Sequence, residues 1–275
     1  MSYKILMVHL DLDESGDARA SLAATLAGRF DAALIGVSAW APAPATSVDF
    51  AVIAPVPGLA DLQMMADLLK TRGEKFRALA GKTSKPPEWR SALELPTEFV
   101  VRQARAALMI IGGTRHPVLR DPYGSVDPGA VLLRAGRPIL LVPPGIMSLA
   151  GKRVAVAWKD TREARRAIVD ALPFLQKAEA VAVVEFCEPG EEAGAPDRLE
   201  DIMQFLLRHG VNCAYQRVRP IDGTVTNAVF HFVQDDAIDL IVAGGYGHSR
   251  LGEWIFGGVT HDLMTTSPVC CLLSH

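Results

Sequence analysis

At 275 residues the chain exceeds one ordinary small domain and suits two of about 100 to 150 residues each. Hydrophobic residues at 49% and charged residues at 21% exclude a disordered chain, which would carry fewer apolar side chains and a larger net charge. A net charge of -3, with no dense run of Lys and Arg, excludes general attraction to polyanions, so nucleic acid is not an expected partner.

The opening MSYKILMVHLDLD has no basic segment, long apolar core or small-residue cleavage site, and reads as a first strand. No window approaches the roughly 18 uninterrupted apolar residues of a membrane span, so the expected location is the cytoplasm, away from membranes. From there, short apolar runs alternate with longer amphipathic stretches, as in successive β-α units with parallel, buried strands. In the first half the predicted strands are Tyr3 to His9, Ala32 to Ala39, Trp89 to Leu95, Leu108 to Gly112 and Pro138 to Val142. Asp17 to Arg29 and Leu59 to Leu79 carry apolar residues at three- and four-residue spacing and read as helices. Thr97 followed by Glu98 offers a capping oxygen and early negative charge at another helix start. Between the second strand and its helix, Ala41 to Pro57 holds four prolines and a single charge, Asp49. Such an apolar connection suits a lid, a partner surface or a packed loop.

Pro143-Pro144-Gly145 and Gly151 interrupt regular structure, which places a domain boundary there and gives domains of 1–145 and 151–275. The pattern then repeats, with strands Arg153 to Trp158, Ala180 to Phe186, Asn212 to Val218, Leu240 to Gly244 and Val269 to Leu273. Helices are predicted at Arg162 to Leu175, capped by Thr161, and at Asp197 to His209 and Thr224 to Asp235. Sliding the chain along itself lays Leu108-Met109-Ile110-Ile111-Gly112-Gly113 on Leu240-Ile241-Val242-Ala243-Gly244-Gly245. After one gap, Gly124-Ser125-Val126 meets Gly257-Gly258-Val259, so one domain has been duplicated. Cys187, Cys213, Cys270 and Cys271 form no C-x-x-C pair and lie at no ligand spacing from a histidine. Cys270 and Cys271, flanked by Val269, Leu272 and Leu273, read as reduced, buried strand cysteines, and no metal site is expected.

The most informative stretch runs from Gly244 to Thr260 directly after an apolar strand. Glycines at a strand's carboxyl end let backbone approach a ligand, and amides at the next helix start suit phosphate. The tip of the opening strand, Trp158-Lys159-Asp160, should form the opposite wall. His248 and Arg250 would add cationic contacts, while Trp158 and Trp254 suit either a base or the core. His248 with Ser249, and His261 with Asp262, are the sequence-local pairs closest to a catalytic arrangement, and neither supplies a nucleophile with a positioned base.

Gly244-x-x-Gly247, nine residues, then Gly257 resembles the G-x-x-G-x9-G-S/T nucleotide motif of the universal stress proteins, and the likeness covers nearly the whole chain as a tandem pair. The resemblance implies two Rossmann-like α/β domains, each a five-stranded parallel sheet flanked by helices. It also implies an adenine nucleotide, ATP with Mg2+ as companion, in the carboxyl-terminal domain. Phosphates would meet Gly244, Gly247, Gly257, Gly258 and Val259, with His248 and Arg250 beside them. Ala157 and Ala243 would line the adenine side. Two departures stand out: Gly258 occupies the hydroxyl position, leaving Thr260 as its substitute, and Lys159 occupies the first-strand acidic position, with Asp160 beside it. In the amino-terminal copy, Arg115 replaces the second motif glycine, so that copy should bind nucleotide poorly although it keeps Asp11 and Ser125. The implied role is binding in a stress response, with slow ATP hydrolysis at most. The alternatives are a nucleotide-free module for a small ligand or protein partner, and a nucleotide-dependent hydrolase or adenylate-forming enzyme. The two closing strands should meet as an intrachain pseudo-dimer, with a homodimer of whole chains left open.

Overall fold

The computed structural model of the chain describes residues 2–13, 15–43, 58–81, 83, 85–114, 121–187, 194–221, 223–246 and 258–275. The first half comprises β1 (Ile5–His9), α1 (Ser15–Phe30), β2 (Ala33–Ala39), α2 (Leu59–Ala80), β3 (Glu88–Ala92), α3 (Pro96–Gln103), β4 (Met109–Gly113), α4 (Pro128–Arg134) and β5 (Ile139–Val142). The second comprises β6 (Arg153–Trp158), α5 (Arg162–Leu175), β7 (Ala180–Cys187), α6 (Ala195–Arg208), β8 (Ala214–Pro220), α7 (Val225–Asp235), β9 (Leu240–Gly244), α8 (Gly258–Thr265) and β10 (Cys270–Ser274).

Strands such as ILMVH and LIVAG are apolar throughout because helices cover both faces of the sheet. One face packs Leu6, Val8, Val154 and Val156 under α1 and α5. The other packs Met7, Ile110, Ile241 and Leu273 with residues of α3, α4, α7 and α8. The sheet order is β3-β2-β1-β4-β5-β10-β9-β6-β7-β8, so each half is a five-stranded parallel α/β unit. The seam is antiparallel, with Leu141 opposite Cys271 and Ile139 opposite Leu273. The two closing strands therefore meet as expected, and each covers the edge the other would expose. Next to the seam, the rings of Tyr3 and Phe30 lie 5.0 Å apart, as do those of Phe30 and Phe174, which ties α1 to α5.

Local signals fared unevenly. Thr161 caps α5 by accepting from the Ala164 amide at 3.3 Å. Thr97 does not cap α3: Leu95 holds that position, Pro96 opens the helix, and the Thr97 hydroxyl oxygen accepts from the Asp127 amide at 3.0 Å. Proline, with no N–H to satisfy, is the better first helical residue, and Thr97 is released to join α3 to the start of α4. Among the described residues no helix is long and apolar enough to cross a membrane.

Candidate functional site

The carboxyl ends of β6 and β9 lie side by side, with Ala157 directly opposite Ala243. β9 closes on Gly244, where a Cβ would stand only 2.5 Å from the Ala164 nitrogen and 2.9 Å from the Glu163 Cβ. Glycine at this point lets the first turn of α5 close on the strand. The Gly245 amide continues the ladder to the Ser274 carbonyl at 2.8 Å. Tyr246 follows with φ of 60°, in a left-handed conformation that is uncommon for a bulky residue. Its amide donates to the Thr260 hydroxyl oxygen at 3.4 Å. Gly258 opens α8 and is exposed, Val259 is half-buried and Thr260 is buried. The Thr260 oxygen is thus already engaged, while its proton can still be donated.

On the opposite wall, Trp158 is a core residue only 4% exposed, packed in the same cluster as Leu10. Lys159 and Asp160 are exposed, and Asp160 accepts from Arg165 at 2.6 Å. Glu163 is buried in the first turn of α5 and takes a hydrogen bond from Arg162. Burial alone would raise its pKa, but hydrogen bonds from Arg162, from its own backbone and from Thr161 outweigh that and hold the carboxyl below its ordinary range.

The amino-terminal half builds a different tip from the same frame. Leu6 and Val8 of β1 pair with Met109 and Ile111 of β4, as Val154 and Val156 of β6 pair with Leu240 and Val242 of β9. Gly113, not Gly112, is therefore the counterpart of Gly244, one residue from the match that lines up the two Gly-Gly pairs. Strand pairing and the buried faces set this register, and a doublet of glycines carries no information about face. Over Gly113 lies the guanidinium of Arg19, with which any Cβ would collide. Arg19 Nη1 donates to the His9 carbonyl and to Asp11 Oδ2, both at 2.9 Å. Spacing along the buried faces, Arg19-Leu22-Ala23-Leu26 against Ala164-Ala167-Ile168-Ala171, makes Ala164 the residue matching Arg19. Burial lowers the His9 pKa, against the opposing pull of Asp11. Asp11 is pushed up by burial, yet His9 and Arg19 together bring it below its ordinary range. Arg115, from which the weakness of this copy was inferred, lies outside the described residues, as do residues 116–120.

Of the expected nucleotide contacts, Ala157, Lys159, Ala243, Gly244, Gly258, Val259 and Thr260 border the tips of β6 and β9 and the start of α8. Asp160 is drawn outward by Arg165. Gly247, His248, Arg250, Trp254 and Gly257 lie outside the described residues. The sequence reading missed Arg19 and Arg72 altogether. Their signal was available: each arginine interrupts an apolar helical stripe, Arg19 before Leu22 and Leu26, Arg72 between Leu69 and Phe76. Among the described residues no group of three His, Cys, Asp or Glu side chains is arranged to hold a metal ion.

No family model matches the sequence, and no curated protein matches it. Among solved structures, a universal stress protein from Archaeoglobus fulgidus is similar over 98% of this chain and 97% of its own, at 14% identity and a TM-score of 0.74. Two Pseudomonas aeruginosa proteins, one described as functionally unknown and one as a putative universal stress protein, each match 99% of this chain at 15% identity. They cover 92% and 93% of their own lengths, with TM-scores of 0.57 and 0.58. At such identities the likeness is one of fold, and the fold of this chain is that of the universal stress proteins.

Proposed function

We propose that the chain is a universal stress protein whose carboxyl-terminal domain, residues 151–275, binds an adenine nucleotide, ATP with Mg2+, while residues 1–145 form a domain that does not. The observation that carries this reading is the asymmetry of the two tips. The small Ala164 stands at Gly244, while Arg19 lies across Gly113. Backbone at Gly244 and at the start of α8 would meet the phosphates, with the Thr260 proton as an added donor and Lys159 as a cation at the rim. Mg2+ would neutralise phosphate charge when bound. The role is binding in a stress response, with slow hydrolysis at most, since Asp160 and Glu163 are engaged by Arg165 and Arg162 and neither is poised as a base.

Calorimetric titration of ATP with Mg2+ into the whole chain should saturate at one site. Ala164→Arg, which copies the other half, should abolish that site while circular dichroism stays native. Two equal sites, or undiminished binding in the variant, would contradict the reading. Lys159→Asp should tighten adenosine binding by about 1 kcal/mol, the scale of one recovered hydrogen bond. A second reading, a nucleotide-free module for a small ligand or protein partner, is favoured by Glu163, whose buried carboxylate beside Gly244 opposes a polyphosphate. Mass spectrometry of ligand released from denatured, freshly purified protein separates the two.

A further inference from the structure

We propose that His275 and Leu132 are positioning residues for the carboxyl-terminal site. They clamp the Gly245–Tyr246 turn from which the glycine-rich segment departs, so that Leu132 gives the amino-terminal half a share in shaping a site it does not itself contain. The proposal rests on the nucleotide reading for the identity of the ligand, and on the geometry of the turn for the clamp. Tyr246 holds φ of 60°, a conformation that a bulky residue keeps only where its surroundings over-determine it. Those surroundings come from β10 and the residue after it, from α8 and from α4. The Gly245 amide donates to the Ser274 carbonyl at 2.8 Å, and His275 directs Nδ1 back to the Gly245 carbonyl at 3.1 Å. A carbonyl oxygen only accepts, so Nδ1 carries the proton. On α8, the Thr260 hydroxyl oxygen accepts from the Tyr246 amide at 3.4 Å, and the Met264 sulfur accepts from the Tyr246 hydroxyl at 3.6 Å.

Leu132 of α4 closes the turn from the other half. A Cβ at Gly245 would stand 2.5 Å from Leu132 Cδ2, whereas Thr260 Cγ2, at 3.5 Å, would be an ordinary contact. Leu132 is only 2% exposed and shares a buried cluster with Leu263 and Met264, so it has little room to withdraw. Gly245 is not in the left-handed region, so glycine is demanded there by Leu132 and not by backbone conformation. His275 is exposed, so burial of its ring does not account for its bond to the Gly245 carbonyl. Fixing the direction in which the chain leaves β9 does account for it. A phosphate held by backbone amides needs those amides aimed before it arrives, and a displacement of about 1 Å is enough to lose much of the benefit.

Titration of ATP with Mg2+ into variants of the full chain provides the test. His275→Ala should weaken binding about three- to tenfold, the range that one hydrogen bond of ordinary net strength controls. Its melting temperature should change by less than about 2 °C, as at other exposed positions. His275→Asn, whose side-chain amide offers a donor near the place of Nδ1, should restore the affinity. Gly245→Ala should weaken binding at least as much, and adding Leu132→Ala should recover most of that loss, because the space is returned from the other half. A double variant as weak as Gly245→Ala alone would remove Leu132 from the clamp. Amide hydrogen exchange at Tyr246, measured without nucleotide, keeps the two readings apart. Faster exchange in His275→Ala and in Gly245→Ala upholds the clamp even where the parent protein takes up no ATP, an outcome that would sink the nucleotide reading alone. Exchange at Tyr246 unchanged in both variants overturns the proposal, and so does unchanged affinity in both when the parent binds ATP.

Discussion

Arg19 stands in the apolar stripe of α1, yet its guanidinium is accommodated because Gly113 leaves room and the His9 carbonyl and Asp11 receive its protons. Removing one partner of such a pair leaves a buried charge uncompensated, which costs more than the pair itself contributes. Asp11→Asn should therefore lower stability by about 2–3 kcal/mol in urea unfolding, whereas a merely exposed pair would change by less than about 1 kcal/mol. The same carboxylates set the acid response. Asp11, Asp17 and Glu163 all have folded pKa values below their ordinary ones, so each contributes stability that is present above the ordinary carboxyl range and lost as pH falls through the lowered values. Stability should decline below about pH 4, and Glu163→Gln should make that decline shallower. A decline of the same slope in this variant would remove Glu163 from the account. At Cys270 and Cys271 burial pushes the thiols up to about 12, so neither should react with a thiol reagent at neutral pH in the native protein.

Among the elements, α2 shows how glycine sets the approach of a helix to a sheet. Gly36 of β2 lies under the Phe76 ring of α2, and Gly73 of α2 lies under the Trp89 ring of β3, with the two rings 5.6 Å apart. A methyl at Gly36 would stand 2.7 Å from Phe76 Cε1, and that ring is fully buried. Gly36→Ala should cost about 1–3 kcal/mol by overpacking. Gly28 offers the contrast: it is exposed near the end of α1, and nothing lies within 4 Å of its added Cβ. There Gly28→Ala should gain about 0.5–1 kcal/mol from helix propensity. Thermal melts of the two variants should move in opposite directions, and a shift of the same sign would mean that the α2 contact is looser than described.

At the scale of the whole molecule, the antiparallel seam between β5 and β10 makes one ten-stranded sheet of two parallel ones. The Tyr3, Phe30 and Phe174 rings reinforce it, and the Tyr3 hydroxyl donates to the Asp170 carbonyl at 2.5 Å. Burial, and then the Asp170 carboxylate, push the Tyr3 phenol well above its ordinary range, so it stays a neutral donor. Leu132 of α4 also packs where Gly245 leaves space, so the seam reaches the second candidate tip. Because so much apolar surface is shared, the two halves should unfold as one unit. Phe174→Ala should lower stability by about 3–5 kcal/mol and lower a single calorimetric transition, where independent halves would show two.

The alternation of apolar runs and amphipathic stretches by itself determined the number and approximate place of the strands, while the antiparallel meeting of β5 with β10 came from the tertiary structure. Strand number and place are local properties: a strand buried on both faces must be apolar along its length, and a helix must keep one stripe. Glycine at the end of β9 was legible for the same reason, as punctuation after a strand. Only the tertiary structure decided which glycine of the amino-terminal copy matches it, because register follows the pairing of β1 with β4. It alone joined Arg72 to Asp17, 55 residues away, and turned Asp160 toward Arg165. Charged side chains choose partners by where packed helices bring them, and no periodicity along the chain records that meeting.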